Sequence, residues 1–152
     1  MKKRLSAFLI GGVLVIVSAF LNGLKADDTI PHGTWEVNQV KIEKSTDRRI
    51  SIAIYSVGKK IESYIACPQI WEVRDSSTLV RHHLDGTEEL TKYTLDGNQM
   101  KVDLAVEMQC FDYKLNTDNL TLLITYFYVN NLANGRTEQI EEKWTIDLKR
   151  KK

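Results

Sequence analysis

Few residues in this chain are suited to catalysis. Three histidines (His32, His82, His83), two cysteines (Cys67, Cys110) and scattered carboxylates are what its 152 residues offer. His82 and His83 are adjacent, and on a strand their imidazoles face opposite sides and cannot readily share one ion. Gly-x-Ser-x-Gly, His-Glu-x-x-His and a glycine-rich phosphate loop are all missing, so a serine nucleophile, a zinc hydrolase and a nucleotide site each lack their motif. Cys67 and Cys110 are far apart and form no Cys-x-x-Cys, which leaves thioredoxin chemistry and a zinc cluster without support. The pattern predicts a protein without catalysis, metal or cofactor.

Binding chemistry is better represented. Trp71, Tyr93, Phe111, Tyr113, Tyr126, Tyr128 and Trp144 form aromatic rows that could line a pocket with apolar faces and hydrogen-bonding tips, or could simply pack a core. Glu142 shares its parity with Ile140, Trp144 and Ile146, and His82 shares its own with Val80 and Leu84, so both are expected to point inward. There they would anchor a ligand head group or sit near an open rim in water. The expected ligand contacts are therefore Trp71, His82, Tyr93, Tyr113, Tyr126, Glu142 and Trp144.

The elements that position these residues read as strands. Asp85-Gly86 and Asp96-Gly97 are hairpin turns, while Asp75-Ser76-Ser77, Asn116 to Asn119 and Asn130 to Arg136 are longer turn clusters. Between them we expect strands at about 33 to 44, 69 to 75, 78 to 84, 87 to 95, 98 to 106, 109 to 115, 119 to 129 and 137 to 149. Met100, Val102 and Leu104 alternate with Lys101 and Asp103, as do Trp144, Ile146 and Leu148 with Lys143, Thr145 and Asp147. The apolar parity flips between Cys110 and Phe111, which demands a hairpin or bulge near Glu107 to Gln109. Residues 49 to 66 repeat at three or four (Ile50, Ile54, Val57, Ile61), which predicts an amphipathic helix. Ile50, Ile52 and Ile54 also alternate, so a strand is the alternative for the first half. Leu123, Phe127 and Val129 make the second face of their strand apolar too, either covered by the helix or forming an outer contact surface. Eight antiparallel strands with one helix between the first and second predict a mainly β fold, an up-and-down barrel that closes its own edges, with an open sandwich as the alternative.

Composition divides the chain in two. Lys2, Lys3 and Arg4 precede an apolar run, Ala7 to Leu21, free of charge and proline, which is the layout of a secretory signal over residues 1 to 26, cleaved after Ala26 or retained as an anchor. The nominal net charge of +1 then resolves into four bases in that segment and 17 bases against 20 acids in the remaining domain, 27 to 152, a net of −3. Nucleic acid is an unsuitable partner for such a domain. Either outcome for the signal predicts a secreted or periplasmic location. In that oxidising compartment Cys67 and Cys110 are expected to close a disulfide, worth roughly 4 kcal/mol in the chain-entropy picture, with two buried thiols as the alternative. Lys149 to Lys152 is a solvated basic end, or a contact for anionic lipid or polysaccharide, so the membrane is reached only there or through an uncleaved signal.

Ile30-Pro31-His32-Gly33-Thr34-Trp35-Glu36-Val37 places Gly-x-Trp at the start of the first strand, and this resembles the opening motif of the lipocalins. Trp71 to Asp75, Tyr93 to Asn98 and Asp118 to Leu122 follow in an order and spacing similar to the short lipocalin-like domains exported by bacteria of the Bacteroides group. The resemblance covers about 30 to 149. It implies that Trp35 lies across the closed end of the barrel, with a basic side chain, Lys149 or Arg150, packed over it. It also implies binding of a small hydrophobic or amphipathic molecule. The alternative is a filled barrel whose outer face meets a protein or envelope component; an interior filled by Trp71, Met100, Tyr113 and Trp144 would favour that second reading.

Overall fold

The computed structural model describes residues 29 to 56 and 67 to 152. Nine strands run in order: β1 (Gly33–Ser45), β2 (Ile50–Ser56), β3 (Ile70–Val73), β4 (Thr78–His82), β5 (Glu88–Asp96), β6 (Gln99–Asp103), β7 (Met108–Asn116), β8 (Asn119–Asn131) and β9 (Thr137–Arg150). Consecutive strands from β3 to β9 pair antiparallel, and β1 pairs with both β3 and β9, closing an eight-stranded barrel. All eight expected strands are present, their ends moved by at most three residues. The proposed signal segment lies outside the described residues.

The helix is corrected over its first half. Residues Ile50–Ser56 form β2, paired with Gln39–Ser45 of β1. The reason is geometric: β3 covers only Gly33–Glu36 of the long β1, so the rest of that edge is free to pair with the alternating Ile50, Ile52 and Ile54. The second half of the expected helix, 57 to 66, lies outside the described residues.

Pleat and register decide what faces inward. On β1, Trp35 and Val37 point in, a register shift between Val37 and Gln39 follows, and Val40 and Ile42 then point in. The parity flip before Phe111 is absorbed by the Leu104 to Glu107 turn, closed by Leu104 N–H donating to Glu107 O at 2.9 Å. Thr117, in the β7–β8 turn, has φ +49°, an unfavourable angle for a β-branched residue.

The barrel is not equally closed along its length. β7 and β8 pair only through Asp112–Asn116 and Asn119–Leu123, yet β8 and β9 continue together to Asn131 and Thr137. Beyond the closed part, β2, β1, β9 and β8 therefore extend as a four-stranded arm. One end of the barrel carries Trp35 and the tight β5–β6 and β7–β8 turns; the arm leaves from the other.

Candidate functional site

At the closed end Trp35 is fully buried, and its indole N–H donates to Pro31 O at 3.1 Å. The Arg150 guanidinium carbon lies 6.0 Å from the Trp35 ring centroid, and Arg150 Nη2 donates to His32 O at 2.7 Å. Gly33 has φ +131°, which lets residues 30 to 32 turn across this end, so the glycine of Gly-x-Trp is required by the backbone. The basic side chain over Trp35 is Arg150. Lys149 pairs opposite Glu36 on the outer face.

Large side chains occupy the middle of the barrel. Trp71 meets Phe111 edge-on at 5.6 Å, Trp144 meets Tyr126 edge-on at 6.3 Å, and Met100 is fully buried. The void bounded by Cys67, Trp71, Arg81, Phe111, Tyr126 and Trp144 measures about 10 Å³. Pockets for drug-sized ligands run to roughly 300–1,000 Å³.

The arm end of the interior is polar, and two buried charges organise it. Glu142 is 1% exposed. It accepts hydrogen bonds from Tyr128 Oη and Trp144 Nε1, each at 2.6 Å, and pairs with Lys44 Nζ at 3.0 Å. Burial alone would raise its pKa, but the hydrogen bonds from Tyr128, Lys44 and Trp144 outweigh that and hold the carboxyl below its ordinary value. Hydrogen bonding to Glu142 in turn raises Lys44. Glu142 thus points inward, out of water, with its carboxylate bonded to Tyr128, Trp144 and Lys44.

Arg81 is the second charge, at 5% exposed. Its Nη1 donates to Gln109 Oε1 at 3.2 Å, its Nη2 to Glu89 Oε2 at 2.5 Å, and the guanidinium lies 5.7 Å from the Trp71 centroid. Burial pushes up both the Tyr126 hydroxyl and the Cys67 thiol, each to about 12.

Of the expected contacts, Trp71, Tyr126, Glu142 and Trp144 come together at this end. Tyr93 and Tyr113 lie toward the closed end, where Tyr93 Oη donates to Asp75 O at 2.9 Å. His82 is a correction. The pairing of Trp71 with Arg81 and Val73 with Leu79 turns Arg81 inward and His82 outward, where His82 sits between Glu72 (3.4 Å) and Glu88 (3.1 Å). The disulfide is another: both thiols are free, because Cys67 packs against the core while Cys110, between inward Gln109 and Phe111, faces out. Arg81, Gln109 and Lys44 were not anticipated. The signal for Arg81 was its shared parity with Leu79, masked because Val80 is apolar too.

Outside, Ile50 (74%), Ile52 (57%) and Ile54 (62%) form an exposed row on β2, and Phe127 and Val129 are exposed on β8. A charged stripe, with Lys41 paired to Glu43 and Lys143 to Glu141, separates the two groups. Among the described residues no strand pairs with the outer edge of β2. Comparison with known proteins returned nothing: no family model, curated protein or solved structure matches this chain.

Proposed function

We propose that this chain is an exported, lipocalin-like barrel without catalytic activity that works through its outer surface, engaging a protein or envelope partner along the β2 edge. The observation that carries the reading is the filled middle of the barrel: Met100 is fully buried there, and the void that Trp71, Phe111, Tyr126 and Trp144 line measures about 10 Å³, too little for a carried ligand. The interaction reading therefore takes precedence over the carrier reading. The uncharged strand Ile50-Ser51-Ile52-Ala53-Ile54-Tyr55-Ser56 supports the choice of surface, since natural sheet edges are usually blunted by charge or proline. An edge left unpaired among the described residues, beside exposed apolar side chains, suits strand addition by a partner. Likeness to lipocalins is supported by the eight-strand closure and by Arg150 over Trp35. Export rests on Lys2, Lys3 and Arg4 ahead of the apolar run.

The test is a photo-crosslinker at Ile52, with Val106 (93% exposed) on the β6–β7 hairpin as a more accessible control. In the native envelope, a defined adduct at Ile52 and none at Val106 is expected. Equal labelling at both positions, or a co-purified lipophile that disappears in Trp144→Ala, would overturn the proposal.

One observation supports a second reading. A cleft of about 410 Å³ on the inner face of the arm is lined by Lys44, Arg49, Ser51, Tyr128, Glu138 and Ile140. A small amphipathic acid would meet cations at one side and Ile140 at the other. Binding of a fluorescent fatty acid, weakened by Arg49→Glu and by salt, is its test.

A further inference from the structure

Trp71 and Arg81 line the same small void at the arm end of the barrel. Each has one buried donor, Trp71 Nε1–H and Arg81 Nε–H, that no group among the described residues accepts. Both residues are more than nine-tenths buried, and the guanidinium lies 5.7 Å from the indole centroid. Indole and guanidinium N–H groups donate only, so what each of the two needs is an accepting atom. The other two nitrogens of the Arg81 guanidinium are taken up: Nη2 donates to Glu89 and Nη1 to Gln109. The void measures about 10 Å³, the space of roughly one water-sized sphere.

We infer that this corner is a site for one hydrogen-bond-accepting oxygen, held by Trp71 Nε1 and Arg81 Nε, and that its size assigns it to a single buried water. A carboxylate oxygen from a small acid offers the same acceptor chemistry. Entry there would displace Cys67 or Tyr126, which also line the void. The inference is independent of any partner at the β2 edge.

The experiment follows the Trp71 Nε1–H and Arg81 Nε–H signals by nuclear magnetic resonance in the full chain. Cross-relaxation of both protons with a long-lived water, unaltered by excess acetate, supports the water. A saturable shift of both signals with acetate supports the carboxylate source. If neither response is seen, the site is overturned. In Trp71→Phe, loss of one donor should let Arg81 Nε–H exchange at least about tenfold faster, because the bridging oxygen is held less well; an unaltered rate in the folded variant contradicts the bridge. If that variant does not fold, Arg81→Lys gives the reciprocal reading on Trp71 Nε1–H.

Discussion

Arg150, on the last strand, lies with its guanidinium carbon 6.0 Å from the Trp35 ring centroid on the first strand, and the two residues are register partners in the pairing that closes the barrel. The contact joins the two ends of the described chain. Its Nη2 also holds His32 O at 2.7 Å, so one side chain covers the indole and fixes the segment crossing it. Arg150→Ala should lower stability by about 1–2 kcal/mol, combining the cation–π contact with one charge-assisted hydrogen bond. Lys149→Ala, on the outer face, should stay within about 0.5 kcal/mol. Urea unfolding midpoints of the two variants check this, and equal effects would count against a closing role for Arg150.

Glu142 makes stability depend on pH with a definite sign. Its folded pKa lies below the ordinary carboxyl value of 4.5, so the folded state binds this proton less readily than the unfolded state. The contribution is fully present above the unfolded value and fades as pH falls through the folded one. The stability difference between the native protein and Glu142→Gln should therefore be constant near neutrality and shrink at acid pH. Glu142→Ala, which strands the Tyr128 and Trp144 donors, should cost about 3 kcal/mol at pH 7. Denaturation across pH 3 to 7 measures both.

Trp144→Ala should convert a filled barrel into one with an apolar cavity. We expect a loss of about 3–5 kcal/mol. A small aromatic such as benzene should raise the melting temperature of this variant and leave that of the native protein unaltered. Stabilisation of the native protein by benzene would show that its interior already has room.

The free cysteines should differ in reactivity. Cys110 is exposed, whereas burial pushes the Cys67 thiol to about 12. At pH 8 Cys67 is therefore held almost entirely as the thiol, whereas the thiolate is the reactive form. Alkylation of the folded protein should add one label quickly, and the second only on unfolding. An intact mass lower by two hydrogens would instead restore the bridge.

Thr117 holds φ +49° in the β7–β8 turn. Thr117→Gly should stabilise the fold by about 0.5–1 kcal/mol, because glycine accepts this angle without steric cost. Thermal unfolding of the variant provides the check.

The sequence by itself determined the strands of the barrel, because period-2 alternation and Asp-Gly turns are local properties that survive any packing. It also marked Trp35, through the resemblance of Gly33-Thr34-Trp35 to the lipocalin opening motif; the backbone angle that calls for Gly33 belongs to the structure. It was ambiguous wherever two adjacent residues were apolar. Leu79 and Val80 both fit a core, and only the pairing of Trp71 with Arg81 decided that Arg81 turns in and His82 out. Residues 50 to 56 carry both a helical and a strand period, and the unpaired length of β1 selected the strand. Cys67 and Cys110 are separated by the barrel wall, a relation no spacing encodes. Whether aromatic rows line a pocket or fill it was likewise left to the tertiary structure, because cavity volume is the small remainder after all inward side chains have packed, and no single residue carries it.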